Sequence, residues 1–522
     1  MESFLEKFGD HVIGVLNGFD RLVFRGTLRR IVFVRGMMSY LFAANILLKD
    51  FSRHVSSVSS HLKDTSLAAA SRASRPVQYL ASSGTLKQKV AQRIAEKDRI
   101  REGLVCILKS VEPCMSYDVY RNRETKRLEL VTRRRKCLHL YHYYVHPVFG
   151  FMNVRIQTWF PFNIQVCING REWLSRQMDK AGMAYQRRDN CFTWLEDTKK
   201  AQDLMNQQLR ACWPDLLKEI ALTINPAQEE IFKDFPSDYY WSVFQSEWAS
   251  DIMFRSPDDL AKIYPSLVYH AVATFSSPDV MRFLGRKIPA DGKIPHAFAG
   301  EVVTDLKQRP EGVRVKHRVK SNSIKLYDKQ GKILRPETTI NDPSDFKVYR
   351  RKESDKNGLL AWLPLRKGIA DLHRRAQVSQ ASNNRYLEAL ASAESTTPLK
   401  TWTDKLCRPV TWNGKRVRAL NPYSPQDASL LEAISRGEFT INGFRNRDLR
   451  NLLYHDKTPS DSDKRRHSAI VTRKIRLLRA HGLVSKVSNT HRYILTKKGR
   501  IAVTALLTAR NADTASLTKL VP

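Results

Sequence analysis

Four carboxylates stand in stretches with the residue composition of β-strands. They are Asp20, Glu247, Asp251 and Glu337. Many nucleases hold divalent metal ions with carboxylates on core strands, and the ions assist phosphodiester cleavage or transfer. Arg21 and Arg25 stand beside Asp20, where they would add phosphate-binding groups. We predict the four acids as a catalytic set, with Asp20 and Glu247 as metal ligands and Mg²⁺ as the cofactor. The alternative is that the acids pair with arginines and only stabilise the fold.

A second group of potential ligands lies between Cys137 and His146, where His139 and His142 complete a set of four. In a β-strand His139 and His142 face opposite sides of the sheet, because side chains alternate. Their spacing also matches no zinc-binding pattern. The seven cysteines include no C-x-x-C pair, which is typical of reduced thiols in a cytosolic protein. The sequence therefore gives little support to a metal site here and predicts a cytoplasmic protein.

The charge of the chain predicts a polyanionic partner. There are 88 lysines and arginines against 52 aspartates and glutamates, which gives a formal charge of +36 and a pI near 10.0. Nucleic acid is the partner that fits such a charge best. Residues 401–522 carry +15, and the other +21 is spread over the first 400 residues. A small regulator with a single DNA-binding domain would not need positive charge throughout its chain. A protein that holds a long nucleic-acid strand across several domains would need it.

Two regions predict basic surfaces for nucleic acid. Residues 104–170 interleave basic and aromatic side chains, a pattern that combines base stacking with phosphate contact. The alternative for this region is an aromatic-rich core. A hairpin formed by Ile324–Asp328 and Lys332–Ile340, with the basic run before it, predicts the second surface. The predicted contact residues are Arg133, Arg134, Arg135, Arg155 and Trp159 in the first region and Arg314, Lys316, His317, Arg318, Lys320 and Lys325 in the second.

The stretch Asp463–Arg500 predicts a basic helix that ends at Gly482, two short β-type runs and a further helix. The β-type runs are Leu483–Val487 and Arg492–Leu495, and two shorter helices are predicted upstream over Asp427–Ser435 and Asn446–Leu453.

This order of elements, with the motifs LLRAHGLVSKV and RYILTKKGR, resembles the winged-helix domains of MarR-like and ArsR-like bacterial regulators. The resemblance implies that the basic helix enters a DNA major groove and that the wing touches the backbone. Twelve basic against two acidic residues between Asp461 and Arg500 favour that role over a winged helix that only docks proteins. The implied contact residues are Arg465, Arg466, Arg473, Lys474, Arg476, His491 and Arg492.

The whole chain resembles a widespread group of uncharacterised bacterial proteins that share the motifs GFDRLVFRGTLR, QTWFPF, QSEWASD and KLYDK. The KLYDK hairpin and the R-x-E sequence after it are also faintly similar to rolling-circle replication initiators. In those proteins an acid and a tyrosine on such strands serve DNA nicking. Pro336 stands where that pattern has a β-branched residue, and the sequence has no His-x-His motif of the related relaxases.

These elements predict a multidomain α+β protein, with an antiparallel-sheet-rich body, helical insertions and a C-terminal winged helix. Residues 1–103 are predicted to hold helices and a hairpin, or a strand bent at Gly18. Residues 104–352 form the α+β body, 353–424 a basic helical region and a linker that runs from Ser395–Pro398 to about Pro425, and 425–522 the winged helix. The apolar stretch Met37–Leu48 is too short to cross a bilayer, so we expect no membrane partner.

Two classes of function remain. The first is an enzyme of a mobile genetic element, of the transposase, recombinase or replication-initiator type. The second is a non-enzymatic binder, either a partner of a structured RNA in a ribonucleoprotein or a transcription regulator. The sequence has no phosphate-binding G-x-x-x-x-G-K-[S/T] loop and no G-x-S-x-G elbow, so we predict no nucleotide cofactor. The preference for DNA or RNA and a homo-oligomeric state stay open. The two classes differ in whether the four carboxylates meet in one site.

Overall fold

A computed structural model of the chain gives the positions of most backbone and side-chain atoms. The described residues are 1–82, 84–273, 275–286, 302–309, 312–352, 358–392, 399–436, 439, 443–454, 460–487 and 490–512. The start of the predicted linker, Ser395–Pro398, lies outside these ranges, and so does part of the turn between the last two β-type runs. The rest of the predicted linker contains a helix, Leu399–Leu406, and two short strands, Val410–Trp412 and Lys415–Val417.

The strands of the described residues extend from Val12 to Leu495. The strands are β1 Val12–Leu28, β2 Val77–Tyr79, β3 Gly103–Arg121, β4 Leu128–His146, β5 Gly150–Gln157, β6 Ile164–Asn169, β7 Tyr185–Arg188, β8 Cys191–Leu195, β9 Tyr239–Phe254, β10 Val302–Arg309, β11 Gly312–Val319, β12 Asn322–Lys329, β13 Ile333–Ile340, β14 Lys347–Arg350, β15 Ala361–Pro364, β16 Val410–Trp412, β17 Lys415–Val417, β18 Val484–Lys486 and β19 Tyr493–Leu495.

The helices are α1 Glu2–Phe8, α2 Val34–Ala43, α3 Phe51–Arg72, α4 Lys87–Lys97, α5 Gly170–Lys180, α6 Thr198–Asn206, α7 Trp213–Ile224, α8 Gln228–Ile231, α9 Pro257–Ala273, α10 Ser277–Phe283, α11 Leu372–Ser392, α12 Leu399–Leu406, α13 Pro425–Ile434, α14 Asn446–Leu453, α15 Asp461–Ala480 and α16 Lys497–Asn511. Within the described ranges, no helix is both long and apolar enough to cross a membrane.

One long sheet organises the chain from its N-terminus to β13. Over the described residues it has 11 strands in the order β10-β11-β12-β13-β9-β1-β6-β5-β4-β3-β2. Neighbouring strands are antiparallel except β2 and β3, which are parallel. β1 and β2 precede residue 104 and pair with strands that follow it, so residues 1–103 and 104–352 share this sheet. The pairs β7-β8, β14-β15, β16-β17 and β18-β19 form small separate sheets.

The strand β1 lies at the centre of the long sheet, between β9 and β6. Where the sequence left open a hairpin or a strand bent at Gly18, the structure has one continuous strand from Val12 to Leu28. A Cβ atom at Gly18 would collide with the Met205 side chain of α6. The glycine therefore allows a helix to pack closely on the strand and does not form a turn.

The two faces of the long sheet differ in their surroundings. Leu22 and Phe24 of β1 belong to a large apolar core that includes Leu217 of α7, so helices cover this face. Arg21 and Arg25 alternate with them along the strand. Arg21 is exposed and Arg25 is half-buried.

The C-terminal region has its own apolar core, which extends from Leu406 to Leu507. Its elements follow in the order α13, α14, α15, β18, β19 and α16, and Phe444 adds a β-bridge to Tyr493. The basic helix α15 ends just before Gly482, whose φ of +71° suits a glycine after a helix. Separate cores confirm a multidomain α+β fold, while the winged-helix assignment stays a prediction.

Gly170→Ala should destabilise the chain, because the added methyl group pushes α5 away from β1. Gly170 is the first residue of α5, and a Cβ atom there would collide with the carbonyl oxygen of Phe19. We expect the substitution to lower the free energy of unfolding by about 1–3 kcal/mol, the usual cost of overpacking. Urea denaturation measures the change.

Gly9→Ala is the matched control. Gly9 has a helical φ of −59°, and a Cβ atom there would meet nothing within 4 Å. Its substitution should change the free energy of unfolding by less than about 0.5 kcal/mol. Equal losses for both variants would contradict the close contact between α5 and β1.

Candidate active site

Asp20 sits at a β-bulge in the centre of the sheet. Phe19 pairs with Trp248 of β9 and Arg21 pairs with Glu247, so Asp20 is the extra residue between two pairs. A bulge bends the strand and re-aims the side chain of the extra residue. It therefore sets the direction in which the Asp20 carboxylate points.

Carboxylates from three neighbouring strands meet beside this bulge. One oxygen from each of Asp20, Glu247 and Glu337 lies within 4.8 Å of the other two. The three residues come from β1, β9 and β13, and β9 lies between the other two strands. Asp251, also on β9, joins the group through a shared arginine. The structure thus brings together all four predicted carboxylates.

Arg335 of β13 is the shared arginine. Its Nη1 atom donates to Asp20 Oδ1 at 3.1 Å, and its Nη2 atom donates to Asp251 Oδ2 at 2.7 Å. Nη2 also donates to the carbonyl oxygen of Asn190 at 2.7 Å. The Arg335 side chain has no exposed surface. It is therefore a buried cation held between two buried anions.

Arg171 of α5 gives Asp251 a second positive neighbour. Its Nη2 and Nε atoms donate to Asp251 Oδ2 at 2.9 and 3.2 Å. The side chain of Asn169 caps α5 by accepting from the backbone N–H of Arg171 at 2.8 Å, which fixes where the helix starts. Burial acts to raise the pKa of Asp251, but Arg171 and Arg335 outweigh it and hold that pKa below its ordinary value. Asp251 is therefore a stable anion.

Lys325 of β12 supplies the cation for the other two acids. Its Nζ atom donates to Glu337 Oε1 at 2.6 Å and to Glu247 Oε1 at 3.4 Å. Burial acts to lower the pKa of Lys325, but Glu337 and Glu247 outweigh it and raise the pKa above its ordinary value. Lys325 therefore keeps its proton and lies where a metal ion would also be attracted.

Asp20 differs from Asp251 in the direction of its pKa shift. Burial raises the pKa of Asp20, and the attraction of Arg335 offsets this only in part. The Nδ2 atom of Asn190 donates to Asp20 Oδ1 at 2.7 Å. Asp20 therefore takes up a proton more readily than an exposed aspartate does.

The site opens to solvent at Glu247. The Glu247 side chain is 16% exposed, whereas those of Glu337 and Asp251 are 4% and 2% exposed. Arg21, which pairs with Glu247 across β1 and β9, is also exposed. A ligand that approaches the carboxylates thus meets Glu247 and Arg21 first.

A polar face continues from the site across the sheet. Arg21 pairs with Asn169 of β6, Arg25 pairs with Gln165, and Gln165 pairs with Arg155 of β5. Directly paired residues of an antiparallel sheet share a face. Cationic side chains therefore follow this face from the carboxylates toward β4.

Most of the predicted contact residues of the β-rich region lie on β4 and β5. Arg133–Arg135 are exposed, and Arg133 and Arg135 each pair with Asp118, at 3.2 and 3.0 Å. Arg155 pairs with Glu112 at 2.9 Å. Trp159 is half-buried, with the Arg135 guanidinium 5.9 Å from the centre of its ring. These residues form a partly exposed surface in which acids neutralise several of the arginines.

The predicted basic surface of the second region divides between the two faces of β11. Arg318 and Lys320 are exposed and Lys316 is half-buried. Arg314 is buried and pairs with Asp305 at 2.7 Å. Lys325 belongs to the carboxylate site described above.

His317 lies on the other face of β11, because neighbouring residues of a strand alternate. It has no exposed surface, its Nδ1 atom is 2.8 Å from the Thr304 hydroxyl, and its Nε2 atom is 3.0 Å from the Tyr386 hydroxyl. His317 is therefore a core residue in this structure and does not reach a ligand at the surface.

The predicted contact residues of α15 are mostly exposed. Arg465, Arg466, Arg473 and Arg476 face solvent, and Lys474 is half-buried. The hairpin residue His491 is exposed. Arg492 is half-buried and its guanidinium lies 4.0 Å from the centre of the Tyr349 ring. One side of α15 therefore presents several arginines to solvent.

A cleft of about 400 Å³ lies beside α15. The guanidinium groups of Arg476 and Arg479 lie 5.9 and 4.9 Å from the ring centre of Trp412. The cleft thus combines two arginines with an aromatic face. Its lining consists of Trp412, Asn413, Lys415, Thr472, Ile475, Arg476, Arg479 and Tyr493.

Four residues of the carboxylate site were not predicted from the sequence as parts of it, and one of them, Lys325, was predicted on a basic surface instead. Arg171 and Arg335 are two of many arginines in a chain of +36 charge, and nothing local marks them. Asn190 follows β7 and approaches through its side chain and its carbonyl oxygen. The R-x-E spacing of Arg335 and Glu337, which places both on one face of a strand, was the one available signal.

Arg335→Met should destabilise the chain strongly. The substitution removes the cation that Asp20 and Asp251 share and leaves buried carboxylates without it, which typically costs about 3–5 kcal/mol. Thermal and urea denaturation measure the loss. Arg133→Met is the control, because it breaks the exposed ion pair with Asp118 and should cost at most about 1 kcal/mol. Equal losses would contradict the central role of Arg335.

Comparisons with known proteins identify no relative of this chain. No family model, no curated protein and no solved structure matches the chain. Its function therefore has to be inferred from the residues and contacts described above.

Proposed function

We propose that the chain binds nucleic acid and cleaves or transfers phosphodiester bonds with a divalent metal ion held by Asp20, Glu247 and Glu337. The observation that carries this proposal is the convergence of three carboxylates, from three neighbouring strands, within 4.8 Å of one another. An antiparallel sheet can bury its centre with apolar residues, so a cluster of acids at that place has to be explained.

The donor set fits a hard cation such as Mg²⁺. Carboxylate oxygens are its preferred protein ligands, and Mg²⁺ is commonly bound by one or two carboxylates together with substrate phosphates. A bound ion would polarise a phosphoryl oxygen and lower the pKa of a water molecule. Lys325 already contacts two of these acids, so a metal ion has to compete with its ammonium group.

The other residues of the site have complementary roles in this proposal. Arg21 is exposed beside Glu247 and is placed to hold a phosphate. Arg171 and Arg335 fix Asp251, and Arg335 also holds Asp20, so both are positioning residues.

Two surfaces support nucleic acid as the substrate. The polar sheet face carries Arg21, Arg25 and Arg155 in register from the carboxylates outward. The exposed arginines of α15 are a second surface, which we propose reads DNA in the manner of a winged helix. An enzyme of a mobile genetic element, of the transposase, recombinase or replication-initiator type, would use both.

A non-enzymatic nucleic-acid binder is the second candidate, either a structured-RNA partner or a transcription regulator. One observation favours it, since each of the four acids already has a cationic partner. Asp20 and Asp251 contact Arg335, and Glu247 and Glu337 contact Lys325. Such pairing is also how a purely structural cluster would be stabilised.

Glu247→Gln should separate the two candidates. Glutamine keeps the size of the side chain but loses the charge that a metal ion needs. We expect metal-dependent cleavage or strand transfer to fall by about 100-fold or more, the range for loss of a positioned catalytic group, while nucleic-acid affinity stays within about threefold. A labelled oligonucleotide assay with Mg²⁺ or Mn²⁺ measures both quantities.

Glu96→Gln on α4 is the control for Glu247→Gln, because Glu96 is exposed and belongs to a helix that contributes no residue to the site. It should leave cleavage unchanged. Wild-type chain that binds nucleic acid but shows no metal-dependent cleavage would favour the non-enzymatic candidate, and loss of folding in Glu247→Gln would indicate a structural role for the acid.

Arg473→Ala combined with Arg476→Ala should abolish sequence-selective DNA binding. Each arginine contact with a base contributes about 1–3 kcal/mol of discrimination, so footprints on a selected site should disappear. Arg93→Ala with Lys97→Ala on α4 removes the same charge from an exposed helix elsewhere and should leave the footprint in place. A footprint that survives the α15 double substitution would exclude α15 as the reader.

A further inference from the structure

A group of sulfur and nitrogen ligands lies on β3 and β4, apart from the carboxylate site. Ligand atoms of Cys114, Cys137 and His139 all lie within 4.8 Å of one another. β4 is separated from β1 by β5 and β6, which corresponds to three strand spacings, or roughly 14 Å. The sequence drew attention to Cys137 and His139, but it gave no sign that Cys114 on the neighbouring strand would complete the group.

The strand register explains how the three residues meet. Cys114 is opposite Arg135, and Cys137 is opposite Glu112, so the two cysteines are diagonal neighbours across the β3-β4 pair. Their Sγ atoms are 2.8 Å apart. Cys137 and His139 are two residues apart on β4 and therefore share a face. All the cysteines of the described residues are free thiols.

We propose that Cys114, Cys137 and His139 bind one thiophilic metal ion of the Zn²⁺ class. Two thiolates and an imidazole are ligands that select Zn²⁺ and other soft or borderline ions over Mg²⁺. Three protein ligands leave one position for water or for a fourth ligand. The site requires no residue of the carboxylate group.

The hydrogen bond of His139 decides which of its ring nitrogens could act as a ligand. Its Nδ1 atom lies 3.2 Å from the carbonyl oxygen of Cys137, and an atom in that position has to carry the hydrogen because a carbonyl oxygen only accepts. The lone pair is then on Nε2, as in many metal-binding histidines that donate to a backbone carbonyl.

The charges around the group are compatible with a cation. Two thiolates balance a divalent ion, and binding releases the thiol protons to solvent. Arg155 is a cationic side chain near the group, and Glu112 pairs with it at 2.9 Å. Lys87 pairs with the same glutamate at 3.1 Å.

Binding requires a small movement of the sulfur atoms. Thiolates that share a tetrahedral Zn²⁺ ion are about 3.7 Å apart, given Zn–S bonds of about 2.3 Å. The present separation of 2.8 Å therefore has to increase by roughly 1 Å. Cys114 is only half-buried, so its side chain can move without disturbing the core.

The test is a titration of the reduced full-length chain with Co²⁺ under anaerobic conditions, followed by displacement with Zn²⁺. We expect one ion per chain, with the absorption of thiolate-to-Co²⁺ charge transfer, and loss of that absorption on addition of Zn²⁺. Cys114→Ser and Cys137→Ser should each weaken binding by about 100-fold or more. His139→Ala should keep a charge-transfer band but shift it, because one nitrogen ligand is replaced.

Cys212→Ser combined with Cys407→Ser is the control, because both thiols are exposed and lie outside the group. It should bind Co²⁺ like wild type. Cys137→Ser changes a buried residue and can impair folding. Protection of Cys114 from iodoacetamide by Zn²⁺ is therefore measured in the wild-type chain as well. Equal Co²⁺ binding by Cys114→Ser and wild type, or a reduced chain that binds no Co²⁺ and only forms a Cys114–Cys137 disulfide on oxidation, would overturn the proposal.

Discussion

The buried guanidinium of Arg335 is the interaction on which the centre of the sheet depends. Three central strands, β1, β9 and β13, carry four carboxylates into a place where water cannot reach all of them. Burying such charges is costly unless opposite charges contact them. Arg335 meets this constraint for Asp20 and Asp251 together, and Arg171 and Lys325 complete the compensation. The bulge at Asp20 directs the carboxylate of that residue into this network. Gly170, the first residue of α5, allows the helix to pack closely on β1 and so brings Arg171 to the same network.

The ion pairs that stabilise the buried acids also raise the question of whether these acids bind a metal ion. Lys325 contacts Glu247 and Glu337 where a divalent ion would be attracted, and it keeps its proton because these acids raise its pKa. A protein that used the acids only for stability would need nothing more. A protein that used them for phosphodiester chemistry would need Lys325 to move when metal and phosphate arrive. The partial exposure of Glu247, beside the exposed Arg21, gives an approach for both.

Sequence patterns predicted local elements well and the contacts between them poorly. The β12-β13 hairpin, the helix Asn446–Leu453 and the end of α15 at Gly482 follow from alternation, amphipathic spacing and turn residues, which are local properties. The four acids could be chosen because carboxylates are rare on core strands. Their partners could not be chosen, because strand order and the bulge at Asp20 depend on pairings between distant segments. For the same reason His317, predicted on a basic surface, lies in the core, and Cys114 was not linked with His139.

The most direct test of the account is a crystal structure of the chain soaked in Mn²⁺, with anomalous diffraction data collected at the manganese edge. We predict an anomalous peak between the carboxylates of Asp20, Glu247 and Glu337, with the Lys325 ammonium group moved away from Glu247. A map without a peak at this place, with Lys325 still in contact with both glutamates at saturating Mn²⁺, would contradict the proposed metal-dependent function and leave the four acids as a structural ion-pair network.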